Sequence, residues 1–210
     1  MLRYIYASDL SAYPKLQETM FKDRAHQFHT RLGWDVAVDT RGAERDEYDA
    51  LNPLYVIWEM RDGSHGGSMR FLPTTGRTMA AEHFAFLADG HPVSNPRIWE
   101  CTRFCLGRQA GPRVSAALML GGAEVGLGFN LSHALGVFDA RMIRIYRRLG
   151  WGPVVLGSCG NGRDRISLGL WEYGQAVRNK LLKTAGLSDE LSRHWFLRAF
   201  GRDLALTETG

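Results

Sequence analysis

The chain predicts a mixed α/β fold, a single domain in which one twisted sheet is flanked by helices. Three observations carry this. Short β-type runs recur seven times between stretches of helical periodicity. A length of 210 residues at 45% hydrophobic content suffices for one substantial core. No internal repeat or interdomain linker divides the sequence.

Residues 2–7 read as a first strand, and Asp9 or Ser11 opens a helix over about residues 14–32 that Gly33 ends. Phe21, Ala25, Phe28 and Leu32 recur at helical spacing as its buried stripe. Arg24 lies beside that stripe. On periodicity alone Phe28 is core packing and Arg24 a snorkelling surface arginine. Residues 34–49 read as a loop with an acidic cluster, Glu44, Asp46, Glu47 and Asp49. Such a run is usually a solvated face. Its functional alternative is a mobile acidic cover over a cationic ligand, with Trp34 as an aromatic wall.

Residues 55–60 and 67–72 form a predicted antiparallel hairpin across a tight polar turn, with Arg70 inside the second strand. Pro73-Thr74-Thr75-Gly76 breaks the chain before a short helix over residues 79–87. His83 on it is more simply a helix histidine than a base. Residues 98–105 then read as a buried strand that nevertheless carries Glu100 and Arg103. Strict alternation sends Trp99, Cys101, Arg103 and Cys105 to one face and Ile98, Glu100, Thr102 and Phe104 to the other. Each face holds one charge that needs a partner, a shifted pKa or a ligand. A structural ion pair meets that need equally well.

The loop 107–113 contains glycines and opens a helix over residues 114–134, a setting that favours phosphate, although Pro112 removes one donor. Gly121, Gly122, Gly126 and Gly128 allow that helix to lie close on a sheet. Residues 135–139 form a strand, and residues 140–149 a helix with Met142, Ile145, Tyr146 and Leu149 on its apolar face. Arg141, Arg144, Arg147 and Arg148 lie outside that face, as a basic stripe that solubilises the helix or docks an acidic partner. Strands at 151–156 and 166–172 and helices at 177–184 and 190–200 close the domain. From Leu204 the chain reads as frayed.

Lys and Arg number 26 against 22 Asp and Glu, a basic excess too diffuse to indicate nucleic acid. No apolar run approaches the roughly 18 residues of a membrane span, and no signal-peptide pattern opens the chain, so a cytoplasmic protein without membrane contact is expected. Cys101, Cys105 and Cys159 lack the neighbours of a metal set; three reduced, mostly buried thiols and no metal are expected.

The run Ile145-Tyr146-Arg147-Arg148-Leu149-Gly150-Trp151, leading into a strand, resembles the corresponding segment of the GCN5-related N-acyltransferase fold. A more specific resemblance spans the first half. Arg24, Phe28, Trp34, Asp46, Asp49, Arg70, Glu100 and Arg103, in this order and spacing, resemble the signature of the acyl-homoserine-lactone synthases, the LuxI-type autoinducer synthases. The segments Arg24-Ala25-His26-Gln27-Phe28, Leu32-Gly33-Trp34-Asp35-Val36, Asp46-Glu47-Tyr48-Asp49, Arg70-Phe71-Leu72-Pro73-Thr74 and Glu100-Cys101-Thr102-Arg103 carry it. It covers residues 1 to about 155, and the remainder only as fold.

The resemblance implies quorum-sensing signal synthesis by a two-substrate transferase. The amine of S-adenosylmethionine attacks a fatty acyl thioester, and the methionine carboxylate then closes on its own γ-carbon. 5′-Methylthioadenosine leaves, and an N-acyl-homoserine lactone remains. S-adenosylmethionine is consumed, so no cofactor is expected. Residues 1–110 would form the S-adenosylmethionine-binding half, with Arg24, Phe28, Trp34 and Arg103 as its pocket and Asp46, Asp49 and Arg70 as a cluster ordering a lid. Residues 111–203 would hold the acyl chain and carrier, with Met119, Leu120, Leu135, Phe138, Leu168 and Leu170 as the acyl pocket.

Catalysis would fall to Glu100, Thr102 and Arg103. Glu100 suits a direct or water-mediated base because an ammonium must lose a proton before it attacks, and nearby backbone N–H groups suit the thioester oxyanion. Arg113 departs from the phosphate loop of relatives that use coenzyme A. Acyl carrier protein is therefore the expected donor, docked on Arg141, Arg144, Arg147 and Arg148 with Lys180 and Lys183, and acyl-CoA the less expected one. Gly136 stands where 3-oxo-acyl members often carry a hydroxyl, which suggests an unsubstituted or otherwise modified chain. The alternatives are an N-acetyltransferase of the same fold that uses acetyl-CoA, and a non-catalytic module that binds an acidic protein.

Overall fold

Strand β2 (Leu54–Glu59) is buried on both faces over its first four residues, so it demands a helical layer on each side. The computed structural model, which describes the backbone of residues 1–207 and the side chains of residues 1–201, supplies both layers. Its strands β1 (Leu2–Tyr6), β2, β3 (His65–Pro73), β4 (Ile98–Leu106), β5 (His133–Asp139), β6 (Val154–Cys159) and β7 (Ile166–Glu172) form one seven-stranded sheet in the order β1-β2-β3-β4-β5-β7-β6. Every neighbouring pair is antiparallel except β4 and β5.

Helix α1 (Pro14–Ala25) covers one face, where Leu16, Met20 and Phe21 pack on Ile5, Tyr55 and Ile57. Helix α2 (Met79–His83) and a 3-10 turn at Ala85–Ala88 cover the same face farther along, over Leu135 and Leu168. On the other face, α3 (Val114–Gly128) packs Leu118 and Ala117 against Leu2, Val56, Met69 and Phe71. A Cβ on Gly121 would stand 2.5 Å from Val56, so this helix reaches its depth only without a side chain there. Helices α4 (Met142–Leu149), α5 (Gln175–Ala185) and α6 (Asp189–Thr207) complete that layer.

Several boundaries differ from those expected. The long first helix changes at His26 into a π-turn through Arg31, and α3 stops at Gly128 because Asn130 turns left-handed. Pro153 delays β6 to Val154. Helix α6 continues through Thr207, past the expected fraying point at Leu204, and residues 208–210 lie outside the described residues. Cys159 is exposed on the edge strand rather than buried, whereas burial pushes the Cys101 and Cys105 thiols up to about 12. Among the described residues no helix is long and apolar enough to cross a membrane.

Two departures from a regular sheet shape its centre. Strand β4 pairs with β5 only at Ile98↔His133, Trp99↔Ala134 and Glu100↔Leu135, and beyond Glu100 the two strands part. Opposite β3 the register steps from Arg70↔Thr102 to Ser68↔Cys105, so β4 holds one extra residue, a bulge at Arg103 with φ 53°. The strict alternation expected from the sequence therefore fails at Arg103. The bulge turns its side chain to the face of Glu100 and Thr102 and sends Phe104 to the main core.

Helix α1 is fastened to β3 by His65, whose Nδ1 lies 2.9 Å from Asp23 and Nε2 3.0 Å from Ser68. Burial lowers the His65 pKa, against the pull of Asp23. The folded protein then binds fewer protons here than the unfolded chain, and stability rises with pH through the region below about 6.5. Denaturant midpoints measured from pH 7.5 down to 5.5 should fall for the native sequence. His65→Gln should remove that part of the slope, and an identical slope in the variant would exclude His65 as its source.

Candidate active site

Three arginines and three carboxylates meet under the bulge. Arg24 of α1 sends Nε to Glu44 at 2.5 Å and grips Asp49 with both terminal nitrogens at 2.9 Å. Arg70 of β3 contacts Asp46, donates to Asp49 at 2.8 Å and donates Nε to the Thr102 hydroxyl at 3.0 Å. Arg103 reaches Glu44 at 3.0 Å and Asp46 at 2.7 Å. Paired forks of this kind are the strong form of charge-assisted hydrogen bond. Burial alone would lower the pKa of Arg24 and Arg70, but the carboxylates outweigh it and raise both. Burial likewise opposes Asp49, yet Arg24 and Arg70 hold it well below the usual carboxylate range.

The acidic stretch is thus not a solvated face. Asp46 caps the 3-10 turn Glu47–Leu51, accepting from the N–H groups of Tyr48 and Asp49, while Asp49 accepts from the Asp46 N–H. This reciprocal box aims both carboxylates inward. Arg24 is fully buried rather than snorkelling, and Glu47 alone of the four acids is exposed. Sequence reasoning named Glu44 only within the acidic run and left it out of the site, although it bridges Arg24 and Arg103, and it missed Tyr55, whose hydroxyl donates to Asp49 at 2.5 Å. A glutamate within an acidic loop carries no sign of burial. Tyr55 lies in an unbroken apolar run, Leu54 to Trp58, which marks no face of the strand as polar.

Glu100 stands apart from these pairs. Its carboxylate accepts from the N–H groups of Met79 at 3.1 Å and Ala80 at 2.6 Å, at the start of α2. Burial raises its pKa, and the two N–H bonds only partly offset that. It is 1% exposed.

Two cavities share a wall beside the splayed strands. The first, of about 140 Å³, is mainly apolar and holds Phe28, Cys101, Thr102, Phe104, Met119, Phe138 and Trp171 in its lining. The second, of about 710 Å³, is charged and is lined by Asp35, Glu44, Asp46, Glu47, Arg45 and Asp139 among others. Trp34, Met79 and Arg103 border both. Phe28 and Trp34 stack with ring centres 5.2 Å apart and planes 13° from parallel, and the Arg103 guanidinium lies 5.3 Å from the Phe28 ring centre. Arg24, Asp49, Arg70 and Glu100 lie behind this wall and line neither cavity.

Of the expected acyl pocket, Met119 and Phe138 line the apolar cavity. Leu120 faces the main core, and Leu135, Leu168 and Leu170 pack with α2 on the opposite face. The correction follows from strand parity: Leu135 and Phe138 sit an odd number of positions apart and cannot share a face. Just before α4, Arg141 pairs with Asp139 at 2.8 Å; on the helix Arg144, Arg147 and Arg148 are exposed, as are Lys180 and Lys183 on α5. Ile145 is exposed too, and its expected place on the apolar face is taken by Ile143. Glu47, Glu82 and His83 bring three ligand atoms within 4.8 Å of one another, all exposed, but Arg77 and Tyr48 already engage Glu82.

Removing one partner from a buried ion pair strands the other's charge, at a cost of about 3–5 kcal/mol. Glu44→Ala should therefore lower the unfolding free energy by about 3–5 kcal/mol. Glu47→Ala, on the same stretch but exposed, should change it by less than about 0.5 kcal/mol. Denaturant unfolding of both variants checks the contrast, and equal effects would remove the network from the stability argument.

Residues 9–175 match the family model described as autoinducer synthase. An acyl-homoserine-lactone synthase of Rhizobium etli is 37% identical over 179 residues, 82% of this chain and 84% of the relative. The crystal structure of the acyl-homoserine-lactone synthase LasI superposes with a TM-score of 0.75 at 27% identity, covering 87% of this chain and 94% of that one. A CoA-dependent acyl-homoserine lactone synthase, BjaI, described with SAM and isopentyl-CoA, superposes at 0.79 with 21% identity, covering 90% of each chain, a likeness of fold. The sheet with its flanking helices is the expected N-acyltransferase-like fold. With the family model spanning most of its length, the chain belongs to the autoinducer synthases, the acyltransferases that make acyl-homoserine lactones.

Proposed function

We propose that the charged cavity takes S-adenosylmethionine and the apolar one the acyl chain, so that amine and thioester meet along their shared wall. The observation that carries this is the wall itself, where Trp34, Met79 and Arg103 border both spaces. A sulfonium and an ammonium suit Trp34, which Phe28 backs from the apolar side, and the carboxylates of the larger cavity, and Arg103 suits the methionine carboxylate. On this reading S-adenosylmethionine is consumed, no cofactor is needed, and the reaction runs in the cytoplasm. Residues 1–110 supply the S-adenosylmethionine side and residues 111–203 most of the acyl side. The network of Arg24, Arg70, Asp46 and Asp49 sets the position of Arg103 and of the loop that carries Trp34.

Glu100 is the general base in this proposal. Its raised pKa makes it a better proton acceptor than Asp49, which two arginines hold low. Because Glu100 lies behind Met79 and Thr102, the proton reaches it through a bridging water. Nucleophilic attack then places negative charge on the thioester oxygen beside the β4 bulge, where an extra residue interrupts the ladder and frees backbone N–H groups to receive it. Thr102, held by Arg70, fixes the strand at this point. Acyl carrier protein is the proposed donor. One side of α4 lines the apolar cavity through Met142 and Tyr146, and its other side presents exposed arginines, so a docked acidic carrier delivers its thioester beside the cavity.

Incubation with S-adenosylmethionine and matched acyl-carrier-protein and acyl-CoA thioesters, read by mass spectrometry, tests the whole scheme. Lactone and 5′-methylthioadenosine should form in equal amounts; thioester loss without methylthioadenosine would instead mark a simple N-acyltransferase. Glu100→Gln should lower kcat by about 10²–10⁴, and unchanged turnover would rule out its role as base. Charge reversal at Arg144 and Arg147 should raise KM for the carrier-bound thioester several-fold while sparing acyl-CoA. An equal effect on both donors, or none, would remove α4 as the dock.

A further inference from the structure

A third cleft, of about 310 Å³, opens beside the π-turn, and none of the residues that line it borders the apolar or the charged cavity. Its charge is one-sided. Lys22, His26, His29, Arg41 and Arg108 give it five basic side chains, and no carboxylate belongs to the lining. The chain as a whole carries 26 Lys and Arg against 22 Asp and Glu, so this segregation is local.

The neighbouring acids leave most of these donors free. Asp39 accepts from the backbone N–H groups of Arg41 and Ala43. Asp23 holds His65 at 2.9 Å and meets Arg108 only through Nε, at 3.4 Å. Glu18 takes one bond from Lys22, at 2.6 Å. Among the described residues, the Arg41 guanidinium and the rings of His26 and His29 have no hydrogen-bond partner. A guanidinium offers five N–H donors, and an imidazole at least one in either neutral tautomer.

The cleft also joins three segments that reach the active site. The π-turn His26–Arg31 sends His26 and His29 to the cleft and Phe28 to the apolar cavity. Turns of this kind recur at functional sites. Arg41 lies on a turn closed by the bridge Val38↔Glu44, and Glu44 holds Arg103. Arg108 follows β4, the strand that carries Arg103. A ligand that gripped all three segments would tie them together.

Forked guanidinium donors and an ammonium match the several oxygens and the double charge of a phosphate. A carboxylate, with two oxygens, would leave more of them unanswered. The volume lies at the small end of the range for small-molecule sites, which favours a small ligand over a protein surface.

We propose that this cleft binds the phosphate or diphosphate group of a small phosphorylated molecule and thereby braces the π-turn, residues 38–44 and the end of β4 against one another. The inference does not depend on which substrate each of the other two cavities takes.

Titration calorimetry of the full chain at low salt, with inorganic phosphate, pyrophosphate and uridine diphosphate, tests it. Uridine diphosphate shows whether a nucleoside adds contacts, without copying the adenosine of S-adenosylmethionine. Pyrophosphate should bind saturably, and Kd should rise about tenfold in Arg41→Ala and in Arg108→Ala, the scale of one hydrogen bond to a charged group. Arg61→Ala, which removes an exposed cation from the β2–β3 turn, should leave Kd unchanged. Hydrogen exchange in residues 26–31 and 38–44 should slow when pyrophosphate is bound. Tighter binding of uridine diphosphate supports the site with a nucleotide as its ligand, and tighter binding of either inorganic ion supports it with a free phosphate. No saturable binding of any of the three, equal weakening in Arg61→Ala, or protection absent from both segments overturns the proposal. Lactone synthesis is not the readout, so a failure of the synthase scheme would leave this result standing.

Discussion

Three guanidinium groups buried beneath a sheet are tolerable only if three negative charges are buried with them, and this equality organises the first half of the molecule. Arg24, Arg70 and Arg103 come from α1, β3 and β4, and Glu44, Asp46 and Asp49 all come from one loop. The helix, the two central strands and the loop are therefore held together by charges that cannot separate without being stranded in a poor solvent. Hydrophobic packing would give the same elements many nearly equivalent arrangements. Bidentate pairing admits few, because the guanidinium fork fixes angles as well as distances.

That fixed platform meets a sheet that is deliberately incomplete. The parting of β4 from β5 after Glu100 opens the apolar cavity, and the bulge at Arg103 turns one more side chain toward the network than a regular strand allows. A non-glycine residue at positive φ is uncommon and is maintained by what surrounds it. Here Glu44 and Asp46 hold the Arg103 head and Phe28 lies beside it. The loop thus stabilises the backbone conformation that interrupts the sheet, and the interrupted sheet gives the two cavities their common wall.

Much of this was legible in the sequence, and the parts that were not share a cause. Periodicity located the strands and helices, since burial on one face or both writes itself into spacing. The residues of the charged network were found only through their resemblance to a family signature, because an arginine inside a helix looks the same whether it snorkels or is buried. Glu44, read as part of a solvated acidic run, was left out of the site because the family signature does not include it. The inversion at Arg103 was invisible, since no glycine marks the bulge, and everything inferred from strict alternation along β4 inherited that error. The expected acyl pocket differs in another way: apolar residues from both faces of β5 were grouped with those on the α2 side of β7, although parity alone separates Leu135 from Phe138.

The electrostatic contrast among the four buried or nearly buried carboxylates explains how one small region can be both rigid and reactive. Glu44, Asp46 and Asp49 each face two arginines, so giving any of them a proton would unbalance the whole network. Glu100 meets only backbone N–H groups, which stabilise its charge less than a guanidinium does, and burial keeps its pKa raised. Of the four, it is the one that accepts a proton without breaking an ion pair. The arginines thus do more than fix geometry. By engaging three carboxylates in ion pairs they leave the fourth, without a guanidinium partner, as the group proposed to take a proton released at the shared wall.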